Sequence, residues 1–192
     1  MVEFALTLPL LMVLLLGVAD FGRVFTAGIT LEAATRDGAE AAALERLRVK
    51  PATPGDPAYY ARLHEIAADT VCAEARILPN TTFNPVDKSC AEMPVVAVCV
   101  QDGFDPDCGG LAPGYIGPLP AECGALSTGW DVTSGGLVAS HSVQVRACYR
   151  FTTLFNLHRN FPLGFAIDLG DIWLVRTRTF IVDCPVGDPS GC

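Results

Sequence analysis

The residues of this chain best suited to covalent chemistry are its eight cysteines, Cys72, Cys90, Cys99, Cys108, Cys123, Cys148, Cys184 and Cys192. Thiols can hold zinc or close disulfides, and spacing separates the two. A tetrahedral zinc site takes pairs spaced like C-x2-C, so that two thiolates reach one ion. The shortest intervals here leave seven or eight residues between cysteines. An even number, all lying downstream of an apolar segment, points instead to disulfides in an oxidising compartment, with connectivity open. No metal or other cofactor is expected.

Other reactive groups are sparse. His64, His141 and His158 are the only histidines, and no G-x-S-x-G, H-E-x-x-H or phosphate-loop pattern accompanies them. The expectation is a protein without catalytic activity. Asp102, Asp105 and Asp107 offer hard oxygen ligands, but their spacing does not match a calcium-loop pattern, and a solvated turn is the simpler reading. Glu3 is the most informative acid. A carboxylate at the edge of an apolar helix is costly to bury, and intramembrane acids usually have partners. Glu3 can meet a cation from a neighbouring subunit, such as an N-terminal ammonium, or rest in the headgroup region beside the chain end.

The elements that position these groups begin with an uncharged block of sixteen residues, Phe4 to Ala19. As a helix it covers roughly 24 Å, against about 30 Å for a bilayer core. A secretory signal would start with cations, whereas the only charge before this block is Glu3. Gly17-Val18-Ala19 nevertheless offers a small-residue cleavage site, so removal of the segment is the competing reading. Asp20 to Arg48 contains no proline and keeps helical spacing, with Phe21, Val24, Phe25, Gly28, Ile29 and Leu31 as one broad stripe. The pattern predicts one helix from about Val2 to Val49, roughly 70 Å long, ended by Lys50-Pro51 and kinked at Pro9. Residues 1–50 are thus read as a membrane-spanning helix with a projecting stalk that must pack against something.

Residues 51–192 are read as an extracytoplasmic, cysteine-rich α+β domain. Pro51 to Pro57 is a linker, and Asp56 is positioned to cap a helix over Ala58 to Leu78. Cys72 on that helix is expected to tie it to a sheet. Strands are expected at Val95–Val100, at Val143–Phe151 with one face exposed, and at Ile172–Val182. Between the first two lies a loop-rich insert near 101–136, in which Cys108 and Cys123 suggest a local disulfide. The net charge of −8 excludes nucleic acid as a partner, because such binding requires clustered cations.

The run Val2-Glu3-Phe4-Ala5-Leu6-Thr7-Leu8-Pro9-Leu10-Leu11, followed by Gly17-Val18-Ala19-Asp20-Phe21-Gly22-Arg23, resembles the N-terminal signature of TadE-like proteins. These are pseudopilins of tight-adherence (Flp-type) pilus assembly systems. Ala33-Ala34-Thr35-Arg36-Asp37-Gly38-Ala39-Glu40-Ala41-Ala42 is similar to the family's alanine-rich helix, and Val143–Phe151 and Asp171–Val182 look like its later strands. The resemblance implies a type IV pilin-like fold: a long membrane-spanning helix plus a shorter helix on a small antiparallel sheet. It also implies a minor pilin or pseudopilin held in the bacterial inner membrane by a single pass, with its C-terminal domain periplasmic, or extracellular within a pilus. The implied partners are other pilins, the assembly machinery, membrane lipid and, if an upstream leader exists, a prepilin peptidase. Glu3, Phe4, Pro9, Asp20 and Arg23 would then carry subunit interaction. The alternative is a membrane-anchored binding or adhesion module that is not incorporated in a pilus.

Overall fold

The structure is a computed structural model, and it describes residues 2–49, 56–86, 89–90, 93–102, 105–111, 121–123, 141–153, 158–160, 166–168 and 171–182. The first helix, α1, runs unbroken over Val2–Arg48, and the amide of Val49 still donates to the Glu45 carbonyl. Its 47 residues rise about 70 Å, the length expected from the proline-free spacing. The second helix, α2, spans Pro57–Ala75. Asp56 caps it by accepting from the Ala58 amide at 3.0 Å, and Pro57 occupies the first turn, where no amide is needed.

After α2 come a small two-stranded ribbon, β1 (Phe83–Asn84) and β2 (Ser89–Cys90), and then β3 (Val95–Asp102) and β4 (Asp105–Leu111). A short 3-10 turn at Ala121–Cys123 precedes β5 (His141–Phe151). A second ribbon, β6 (His158–Asn160) and β7 (Ala166–Asp168), precedes β8 (Ile172–Val182). The main sheet is antiparallel throughout, with strand order β4-β3-β5-β8.

Both helices cover one face of this sheet, α1 across β5 and β8 and α2 across β3. Their shared core joins Leu31, Ala34 and Ala42 of α1, Leu63, Ala67 and Val71 of α2, and Val98, Val145, Tyr149 and Phe151 of the sheet. The α1 residues that meet α2 are small because the helices run close together. A Cβ added at Gly38 would stand 2.6 Å from Val71 Cγ2 and 2.9 Å from the Ala67 carbonyl oxygen.

Four local expectations are corrected. The insert near 101–136 is not wholly loop: β4 pairs with β3 in a hairpin whose last partners are Asp102 and Asp105. Its Pro106, Gly109 and Gly110 argue against a strand by propensity, but β4 lies at the sheet edge, where proline is tolerated. The strand β5 is not half-exposed. Ser142, Gln144 and Cys148 are buried as well as the apolar row, and over Cys148 the cover is the 121–123 turn, on the face away from the helices. There Cys123 packs with Val95 and Cys148, and its carbonyl accepts from Arg146.

Cys72 does bridge, with a Cα–Cα distance of 5.5 Å, but to Cys90 of the β1–β2 ribbon rather than to the main sheet. Finally, the stripe on α1 divides. Gly28 and Leu31 face the core, whereas Phe21, Phe25 and Ile29 face outward.

The two glycines Gly22 and Gly38 make a matched test on one helix, since a Cβ at Gly22 meets nothing within 4 Å. Gly38→Ala is expected to overpack the helix contact by about 1–3 kcal/mol, more than offsetting the roughly 1 kcal/mol that alanine adds to helix propensity. Gly22→Ala should leave stability unchanged or raise it. Near-UV circular dichroism of the full chain melting in detergent reads both; equal shifts would dismiss the close approach.

Candidate functional site: the open face of the long helix

Among the described residues, the lower part of α1 touches nothing outside itself. Leu10 through Val18 are exposed on every side, with no charge among them. Such a surface is not compatible with water over this length, and it satisfies the length and composition required to cross a membrane. Among the described residues α1 is the one helix that meets this test, the arrangement of a single-pass membrane anchor.

Above the apolar block, the described residues of the domain cover one side of α1. Phe21, Phe25 and Ile29, spaced four residues apart, are 73%, 62% and 56% exposed and form a ridge of the kind that interlocks with another helix. Beside this ridge runs a groove walled by Leu174 and Arg176 of β8. It continues upward past Ala33, Arg36 and Asp37 toward Arg178 and Phe180. Further up the same helix, Leu44 and Leu47 are also exposed.

The floor of the groove is pinned by charge. In the β5–β8 register, Ala147 faces Arg176 and Val145 faces Arg178, so both arginines lie on the helix side of the sheet. Glu32 of α1 accepts from both: Arg176 Nε lies 3.3 Å from one carboxylate oxygen, and Arg178 binds the other. One carboxylate thereby clamps one turn of helix to two alternate positions of the outer strand. Partly exposed pairs of this sort contribute modestly to stability, but they fix the strand's position relative to the ridge.

The residues expected to carry subunit interaction separate into two groups. Glu3, Phe4 and Pro9 lie in the first turns of α1, and their side chains fall outside the described residues. Asp20 and Arg23 lie about 25 and about 30 Å above Glu3 along the axis and pair with each other at 3.2 Å. The Arg23 guanidinium also sits 5.3 Å from the centre of the Phe151 ring, a cation–π contact that joins α1 to the end of β5. These two residues are thus engaged with the protein's own domain. What sequence reasoning missed is the Glu32 clamp; its signal was the pair Arg176 and Arg178 on alternate positions of one strand.

Of the cysteines, Cys72 and Cys90 are bridged. Cys99 is also disulfide-bonded, and its register partner on β4 is Cys108, whose side chain falls outside the described residues. Cys123 and Cys148 are unbridged, buried, and in hydrogen-bond contact with each other. Burial pushes both thiols above the ordinary cysteine value, Cys148 most strongly. Cys184 and Cys192 lie outside the described residues. His64 lies on α2, whereas His141 and His158 lie in strands of separate sheets.

With this geometry in place, comparison with known families matches residues 1–40 to the family described as TadE-like protein. The matched segment is the membrane-spanning block together with the Phe21–Ile29 ridge, and it agrees with the signature read from the same residues. No curated protein and no solved structure matches the chain.

At the lower end of the domain, the Tyr149 hydroxyl donates to the Pro79 carbonyl and holds the turn after α2 against β5. Burial raises its phenol above the ordinary tyrosine value, while Arg23 opposes that shift. A raised acid favours its neutral form in the fold. The resulting stability is complete below the unfolded value near pH ~10 and is lost as pH rises through the folded value. Tyr149→Phe should cost about 1 kcal/mol at neutral pH and flatten this alkaline loss. Superimposable alkaline limbs in the two unfolding profiles would remove Tyr149 from that role.

Proposed function

We propose that the protein is a pseudopilin that takes part in assembling a tight-adherence pilus by packing α1 against the helices of other pilin subunits. The observation that carries this reading is that the exposed ridge starting at Phe21 continues through Phe25 and Ile29, past the bilayer, on a helix whose other side is already filled. A plain anchor has no need of apolar side chains beyond the bilayer. A helix that joins a bundle requires them, because ridges of one helix must enter grooves of the next. The family match over the same residues supports the reading.

In this assembly Glu3 sits inside the bilayer at the bottom of the bundle, where a lone carboxylate is costly and a neighbour's terminal ammonium would neutralise it. Phe4 and Pro9 shape the same end of the helix. Asp20 and Arg23 act indirectly, since they set how the domain is carried on α1 and therefore which side of the ridge stays open. The domain faces the periplasm, and its role is structural.

The oxidising compartment that this orientation implies also suits the remaining cysteines. Cys123 and Cys148 would close by losing two protons and passing two electrons to the disulfide of a thiol oxidant of that compartment. Cys99 would pair with Cys108 across the β3–β4 hairpin.

Glu3→Ala is expected to reduce piliation strongly while leaving membrane insertion intact, and Phe25→Ser should do the same with Glu3 present. Counting pili by electron microscopy alongside membrane fractionation reads both; normal piliation in both variants defeats the packing reading. Alkylation of the membrane-extracted protein under denaturing, non-reducing conditions should leave Cys123 and Cys148 unmodified. Full labelling of either thiol would show that the pair stays reduced.

A further inference from the structure

The end of the domain nearest the bilayer is built to an unusual level. The helix α2 returns alongside α1, with Arg62 2.5 Å from Glu45 near the top and Val71 against Gly38 below. The chain then turns at Pro79 and Asn80. Asn80 adopts a left-handed conformation, φ 64°, which asparagine tolerates better than most residues. Its amide donates to the Thr152 hydroxyl at 3.2 Å, and Tyr149 holds the Pro79 carbonyl. Locked in this way, Ile77 and Pro79 form one wall of a groove whose other wall is Ala19, Gly22 and Arg23.

That level matters because of where the bilayer must end. Counted from Phe4, about 20 helical residues fill a hydrocarbon core of about 30 Å, which places the boundary near Arg23. Ile77 is 73% exposed at this height, Phe21 equally so, and Ile172 at the start of β8 is also exposed. The charges around them are arranged to match. Asp20 is paired with Arg23 and Asp171 with Arg150. Arg76, next to Ile77, is exposed and has no ion-pair partner among the described residues. Glu74, two residues earlier on the helix, lies on a different side of it. Among the described residues the rim thus presents apolar side chains with one unpaired cation turned to a different side from Glu74, the combination that suits the headgroup layer of an anionic membrane.

We propose that this rim is a second membrane contact, by which the domain rests on the surface of the bilayer that α1 crosses. Ile77 and Phe21 reach the hydrocarbon boundary, and Arg76 meets lipid phosphate. The inference rests on the reading of α1 as a membrane-spanning helix. Two contacts, one through the bilayer and one along its surface, define an orientation that a single helix does not. The ridge of Phe25 and Ile29 is thereby held sideways above the membrane plane.

The test uses the full chain in vesicles of phosphatidylethanolamine and phosphatidylglycerol at 3:1 (roughly the charge density of an anionic leaflet). An environment-sensitive fluorescent amino acid is placed by codon suppression at position 77, 14 or 65, which spares the cysteines. Brominated lipid should quench the probe strongly at 14, clearly at 77 and not at 65, and Arg76→Glu should return the signal at 77 toward the unquenched level. Quenching at 14 with none at 77 overturns the rim contact and leaves the anchor standing. No quenching at 14 overturns the anchor itself. Shielding of position 77 from aqueous iodide without quenching by brominated lipid would assign the rim to a second copy of the chain and also overturn the proposal.

Discussion

One helix in this molecule must satisfy two solvents, and the rest of the architecture follows from that constraint. From Leu10 to Val18, α1 meets lipid on all sides, so its side chains are apolar all round and carry no stripe. From Ala27 upward it becomes part of a protein core, and the residues turned inward shrink to alanine, glycine and threonine around Leu31. The change is needed because lipid accommodates large side chains, whereas α2 and the sheet must approach closely to exclude water. The Asp20–Arg23 pair marks the passage between the two regimes and places charge where headgroups and water can solvate it.

The domain built on this helix is lopsided by design of its topology. With strand order β4-β3-β5-β8, the last strand is an edge among the described residues, and an edge invites pairing by another chain. Two features restrain it: Arg176 and Arg178 put charge along the strand, and Glu32 holds those charges against α1. A neighbouring helix can approach the groove beside Phe25 and Ile29, while a neighbouring strand meets side chains that resist burial. The chemistry of the edge therefore favours helix packing over sheet extension.

Much of this plan was legible from residues alone. The absence of proline from Leu10 to Val49, with the Lys50-Pro51 stop, predicted α1 nearly to the residue, and Asp56-Pro57 predicted the start of α2. The β-branched run at Val95 and the alternation at Val143 marked the two central strands. What escaped depended on contacts distant in sequence. The apolar stripe of α1 could not be divided into core and surface without knowing that α2 and the sheet together cover only one arc. The polar row of β5 read as solvent-facing because nothing in Arg146 or Cys148 announces a turn at 121–123 lying across them. The strand β4 was hidden by proline and glycines that an edge position excuses. Cys72 announced a bridge, but only the fold could choose Cys90.

The close seating of α1 against α2 at Gly38 has a mechanical consequence. Because Ala27, Leu31, Ala34 and Ala42 belong to the anchor and to the core at once, a pull on the membrane end of the rod is not taken up by a slack tether. The load passes as shear along two helices and into the sheet behind them, so the rod and its domain yield together or not at all.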